Sequence, residues 1–223
     1  NNYPYTQRVA NPGPSSDFSS WTFLNAVSSA SAISLVSQGA NVYLFYVATD
    51  GKDMFQRQST DYGATWSGAI HVLNPSISGV AWLAVAIDDA GTLALFYAST
   101  GHVVYFIRDM SSYWTSPASW TNAVASVTGM DCVYWGDWNL LIAGTESSTT
   151  DSKVWICIYG DGVGQAADTW SPLREVNTAK SDSSTSFHYP TMARPDVFRM
   201  FYTEKYTGSS SYQRPMHSHG LAN

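Results

Sequence analysis

Ser59-Thr60-Asp61-Tyr62-Gly63-Ala64-Thr65-Trp66 fits the pattern S-x-D-x-G-x-T-W residue by residue. These residue types suit a tight turn that carries its own hydrogen-bond acceptor. The Asp61 carboxylate can accept from backbone N–H groups of the turn. Gly63 supplies a permissive backbone position, and Trp66 can pack between neighbouring sheets. Before the turn runs Met54 to Gln58, and after it Trp66 to Asn74. Both read as strands, so the turn closes a hairpin.

Working outward, the same layout recurs. Tryptophans at 21, 66, 120 and 170 are spaced by 45, 54 and 50 residues. Each opens a strand D: Trp21 to Asn25, Trp66 to Asn74, Trp120 to Val124 and Trp170 to Asn177. Each repeat also holds an apolar strand B: Val42-Tyr43-Leu44-Phe45-Tyr46, Thr92 to Tyr97, Asn139 to Ala143 and Phe198 to Tyr202. A short turn precedes each one, and before it lies strand A: Ala32 to Val36, Ala81 to Ile87, Asp131 to Trp135 and Tyr189 to Ala193. Strand C is Met54 to Gln58, Val103 to Arg108 and Val154 to Ile158 in the first three repeats. Helix signals are nearly absent, and strands with turn signals at this spacing are the all-β pattern. A period near 50 residues points to propeller blades. The order is circularly shifted: the chain opens on a C-like strand, Tyr5 to Val9, and closes on another, Tyr212 to Met216. The expected fold is an all-β propeller forming a single domain over residues 1–223, most simply of four blades. The N-terminal D strand would join the C-terminal A–B pair and remove a free sheet edge. A five-bladed alternative needs one more A–B pair than the sequence offers.

On the motif at 59–66 and this layout, the chain resembles the Asp-box, or bacterial neuraminidase repeat, propeller superfamily. The other copies are degraded. Asp17-Phe18-Ser19-Ser20-Trp21 keeps Asp and Trp, the stretch from Ser111 to Trp120 keeps the Trp, and Asp168-Thr169-Trp170 keeps Asp and T-W. In such families the motif is a folding element away from the catalytic centre, so the resemblance implies architecture and leaves chemistry open. They include sialidases, other glycosidases, sugar-binding propellers and interaction domains. Sialidases have six blades, an arginine triad and a Tyr–Glu nucleophile pair. This chain is about two blades short, and none of its seven Arg marks a triad.

Composition narrows the classes further. The net charge is −6 with 11 basic residues, and no stretch gathers them. Nucleic-acid binding through phosphate contacts is therefore excluded as a leading reading. No apolar run approaches the roughly 18 residues of a membrane span. Charged residues are only 13%, while 31 Ser, 19 Thr, 9 Trp and 14 Tyr fill the surface and core. That balance leans toward an extracellular, secreted protein. The sequence begins Asn1-Asn2-Tyr3, so a leader is expected to have been removed, or the sequence to start inside a longer chain. Cys132 and Cys157 fall on strands A and C of one repeat. Strand B separates them by about 9–10 Å, beyond the roughly 7 Å a disulfide tolerates, so both are expected free and buried. Unpaired thiols leave a cytoplasmic location open. No zinc-type Cys/His cluster occurs, and neither a metal nor a cofactor is expected. His217-Ser218-His219 places two His on one strand face about 7 Å apart, with no third ligand suggested. The Asn74-Pro75-Ser76 triplet has Pro in its middle and is a poor glycosylation acceptor.

Sugars are held by aromatic faces and a few fixed polar groups. Strand C repeats an aromatic-x-Arg pattern at Arg57, Arg108 and Arg214. Tyr46, Tyr97 and Tyr202 end the B strands, and Trp82, Trp135, His188 and Tyr189 lie on or beside A strands. Together with Asp131 these are the candidate ligand-binding residues. Repeated Arg beside repeated Tyr would form similar pockets between blades. Fucose-binding fungal propeller lectins are similar in using Arg, Glu and aromatics in repeated sites, but this chain lacks a repeated Glu. The expected function is a non-catalytic, lectin-like glycan-binding propeller. A glycoside hydrolase would need two placed carboxylates, and Asp131 with Glu204 or Glu146 is the conceivable pair. An interaction or structural propeller is the third reading.

Overall fold

The computed structural model describes residues 5–6, 22–23, 30–49, 51–73, 79–99, 104–110, 113–114, 118–119, 126–135, 139–147, 151–160, 169–170, 174–180, 185–193, 198–206 and 212–220. All of its regular elements are strands. β1 (Tyr5–Thr6) pairs with β2 (Thr22–Phe23). β3 (Ala30–Gln38), β4 (Asn41–Ala48), β5 (Met54–Ser59) and β6 (Ile70–Leu73) form an antiparallel sheet in that order. β7 (Val80–Ile87), β8 (Leu93–Ser99) and β9 (Val104–Met110) form the next, with β10 (Tyr113–Trp114) and β11 (Ala118–Ser119) both on β9. β12 (Ser126–Trp135), β13 (Asn139–Ser147) and β14 (Asp151–Gly160) follow, with β15 (Thr169–Trp170) and β16 (Arg174–Lys180) both on β14. β17 (Thr185–Ala193), β18 (Phe198–Tyr206) and β19 (Tyr212–Gly220) form the last sheet. The four larger sheets match the four sequence repeats. The chain divides into two compact units, Asn1–Leu83 and Ala84–Asn223.

The expected A, B and C strands all appear. The D strand expected at Trp120 to Val124 lies outside the described residues, and the strands pairing β9 there are β10 and β11. Among the described residues β2 pairs with β1, and β19 with β18. No helix among the described residues is long and apolar enough to cross a membrane.

Strand B is the centre of the core in the first two large sheets. β4 is buried from Leu44 to Val47 and β8 from Leu93 to Ala98. A strand covered on both faces shows a continuous apolar run rather than alternation. Each fully buried side chain of this size contributes about 1.5–3 kcal/mol.

The first and third repeats match down to their irregularities. β3 bulges at Ser31, between Ala30 and Ala32, and β12 bulges at Thr128, between Val127 and Gly129. Both bulge residues carry a hydroxyl that bonds to the partner strand. Ser31 Oγ donates to the Ala48 carbonyl at 3.2 Å, and Thr128 Oγ1 to Thr145 Oγ1 at 3.0 Å. Strand D bulges alike in both. Phe55 faces His71 and Met54 faces Leu73, while Trp155 faces Glu175 and Val154 faces Asn177. Val72 and Val176 are the extra residues. Such bulges re-aim side chains and are features of a fold. In the fourth repeat β17 bulges across Tyr189 and Pro190, where proline cannot donate to the ladder.

Cross-strand pairs trade volume between repeats. Tyr46 faces Phe55 in the first, and Gly144 faces Trp155 in the third. Glycine in the tyrosine's place leaves room for the larger indole.

Gly51 sits at φ +69°, and its carbonyl accepts from Gly79 N at 3.1 Å and Val80 N at 3.0 Å. A Cβ on Gly51 would stand 2.9 Å from the Gly79 Cα, which is backbone and cannot swing away. Left-handed φ alone costs a side chain roughly 1–2 kcal/mol. Gly51→Ala is expected to lose at least that much stability in a denaturant melt, and Gly39→Ala, with open space around it, only the backbone part.

Cys132, Ile142 and Cys157 lie in one cross-strand row, so strand B separates the two cysteines as their spacing implied. Cys132 is free and buried. Burial first, and the Asp131 charge second, push its thiol well above the ordinary range, which leaves little thiolate to react. In a Cys157→Ser background, Cys132 is expected to resist a disulfide-exchange reagent in the native protein and to react fully once denatured.

Candidate functional site

The turn at 59–66 is held by a closed set of hydrogen bonds. Ser59 is buried. Its Oγ donates to Asp61 Oδ1 at 2.7 Å and accepts from Gly63 N at 2.8 Å and Asp61 N at 3.3 Å. Asp61 Oδ1 also accepts from Thr65 N at 2.8 Å, and Oδ2 from Thr65 Oγ1 at 2.6 Å. Trp66 Nε1 donates to the Gly63 carbonyl at 3.1 Å, and the ring packs against Leu44 and Tyr46. Tyr62 N donates to the Ala40 carbonyl at 2.9 Å, tying this turn to the β3–β4 turn. Gly63 stands at φ +83° and Tyr62 at φ +59°.

The carboxylate of this turn is consumed by the turn's own hydroxyls and amide, so it builds structure rather than offering chemistry. The Thr65 side chain, then the Thr65 amide and the Ser59 hydroxyl, hold Asp61 well below its ordinary carboxylate value. A depressed folded value means stability present above the unfolded value and lost as pH falls. Asp61→Asn is therefore expected to lower the melting temperature at neutral pH, and the gap to wild type should close progressively below about pH 4. Melting curves from pH 7 to pH 2 measure it.

The candidate arginines do not occupy equivalent places. Tyr46 faces Phe55, and Arg57 lies two residues further along β5. Tyr97 faces Tyr105, and Arg108 lies three residues further along β9. Tyr202 faces Met216, and Arg214 lies two residues before it, opposite Glu204. The aromatic-x-Arg pattern therefore does not generate one repeated pocket. Arg57 is also mostly covered, at 8% exposure. Tyr46 and Tyr97 are core residues at 1% and 0%, and they present no face on which a ligand could stack.

Trp82 is half-buried on β7. Asp131 faces Ala143 in register, and its Oδ1 accepts from the adjacent Cys132 N at 2.9 Å. Trp135 ends β12 opposite Asn139, His188 faces Thr203, and Tyr189 lies in the β17 bulge. β17 lies alongside β12 and β13, so the structure brings together the elements carrying Asp131 and Trp135 with those carrying His188 and Tyr189. Glu146 is three positions from Ala143 along β13, and Glu204 belongs to another sheet.

A cluster that sequence reading missed stands on the first sheet. His71 Nε2 donates to Asp53 Oδ1 at 3.1 Å, and the two side chains are 42% and 40% exposed. Phe55 lies between this pair and the core. Its ring stacks on Tyr46 at 5.5 Å and 21°, and meets His71 edge-on at 5.2 Å and 80°. Asp53 and His71 are 18 residues apart in the chain. The signal for their meeting is the hairpin itself, because the 59–66 turn fixes which D-strand residue reaches Phe55. No group of three or more His, Cys, Asp or Glu among the described residues is placed to hold a metal ion.

No protein-family model and no curated protein matches the chain. Solved structures do. A protein of unknown function from Dyadobacter fermentans superposes with a TM-score of 0.62 at 14% identity, over 83% of this chain and 51% of that one. The Hadza microbial sialidase Hz136 gives 0.56 at 16% identity, over 83% of this chain and 43% of the sialidase. A variant of the Aleuria aurantia lectin in complex with Fucα1-6GlcNAc gives 0.51 at 14% identity, over 91% of this chain and 67% of the lectin. The chain spans about half the length, or less, of the first two proteins. It shares the all-β fold found in these sialidase and lectin structures.

Proposed function

We propose that the chain is a non-catalytic, carbohydrate-binding β-propeller. The observation that carries this reading is the fold shared with the Aleuria aurantia lectin across 91% of the chain, a lectin whose structure holds a fucosylated sugar. Four repeats, four larger sheets and the hydrogen-bonded turn at 59–66 support four Asp-box-type blades, and a single domain over 1–223 is proposed with them. Closure of the last blade by the N-terminal strand, and an extracellular location, belong to the same proposal. The partner is a glycan.

A second reading, a small glycoside hydrolase, is favoured by the fold shared with the Hadza sialidase. It would use a carboxylate pair containing Asp131. Frontal affinity chromatography on the immobilised protein separates the two. A lectin retards a subset of a glycan library and releases it intact. Cleaved sugars in the eluate would establish the hydrolase, and passage of every glycan without delay would remove both readings.

A further inference from the structure

Asp53, Phe55 and His71 form a cluster that pairs exposed hydrogen-bonding groups with an aromatic ring. The carboxylate can only accept, so the imidazole donates through Nε2 to Oδ1. In the neutral imidazole this leaves Nδ1 as an acceptor. Asp53 Oδ2 is the second acceptor, and among the described residues neither atom takes a protein hydrogen bond. The hydrogen bond fixes the positions of both. Two exposed acceptors beside an apolar ring match hydroxyls on a sugar whose C–H surface meets the ring.

The second and third repeats do not share the cluster. In the third repeat the place of His71 is held by Glu175, opposite Trp155, and the residue before Val154 is Lys153 where Asp53 precedes Met54. In the second, Ser119 faces Tyr105 where His71 faces Phe55. The hairpin sets His71 opposite Phe55, in step with Ile70 opposite Gln56, and the β6 bulge at Val72 begins just beyond.

We propose that Asp53, Phe55 and His71 are a single glycan-binding site on the first sheet, taking sugar hydroxyls on Asp53 Oδ2 and His71 Nδ1. This rests on the carbohydrate-binding reading above and deepens it. The test is saturation-transfer NMR on the full chain with methyl α-glycosides of fucose, galactose, mannose and glucose as probes. Wild type is compared with Asp53→Asn, His71→Ala and His71→Gln, each checked by its melting temperature. The expected result is saturation of at least one glycoside by wild type, weakened on the order of tenfold in Asp53→Asn and His71→Ala, with partial recovery in His71→Gln. Equal saturation by wild type and folded variants would overturn this site while leaving glycan binding in place. No saturation of any probe, together with no retardation of any glycan on the affinity column, would overturn the carbohydrate reading and this site with it.

Discussion

Gly144→Ala is expected to destabilise the protein by about 1–3 kcal/mol, a large loss for one methyl group. An ideal Cβ on Gly144 would land inside the Trp155 indole, and Trp155 is among the largest fully buried side chains. The ring has no free volume to move into, because interiors are packed to crystal density. Thr145 and Val154, the adjoining cross-strand pair, are also fully buried. Two further variants make the cause specific. Trp155→Ala should cost about 3–5 kcal/mol, as large aromatic truncations do. Gly144→Ala combined with Trp155→Phe should be less destabilising than the sum of the two single changes, because the smaller ring admits the methyl. Urea melts of wild type, Gly144→Ala, Trp155→Phe and the double variant measure this coupling. Strict additivity would mean that the indole and the glycine do not share the space the structure gives them.

Tyr46→Ala is expected to cost about 3–5 kcal/mol. Tyr46 is buried, stacks on Phe55, and packs in the cluster with Leu44 that Trp66 covers. Its removal leaves a cavity beneath both rings. The comparison with the third repeat adds a sharper expectation. Tyr46→Gly with Phe55→Trp copies the Gly144–Trp155 pair into the first repeat, and it should be more stable than Tyr46→Gly alone. Equal stability of the two would argue that the repeats are equivalent in strand layout but not in packing.

Strand layout was legible in the sequence because the central strands are covered on both faces. That constraint writes continuous apolar runs such as Leu44 to Val47 and Leu93 to Ala98. The cysteine separation was legible for a related reason, since counting one strand between Cys132 and Cys157 requires only the order of strands. Register was not legible. Val47 pairs with Met54, whereas Ala98 pairs with Val104, so the B–C connection is one residue shorter in the second repeat. A one-residue change shifts every position in the strand. It places Arg57 and Arg108 out of step although each follows an aromatic by two residues. The tyrosines misled for another reason. An aromatic in a strand looks the same whether it is core or platform, and Tyr46 and Tyr97 are core. Asp53 and His71 carried no motif, and the hairpin brings them together.

The central claim is a carbohydrate-binding chain with one glycan site, built on Asp53, Phe55 and His71. Native mass spectrometry of the full chain against a fucosylated oligosaccharide, and against galactose- and mannose-terminated ones, tests it most directly. One bound oligosaccharide per chain is expected at saturation with at least one of these probes, and its loss in His71→Ala. A ladder of several bound sugars per chain, or no bound sugar at any concentration, would contradict it.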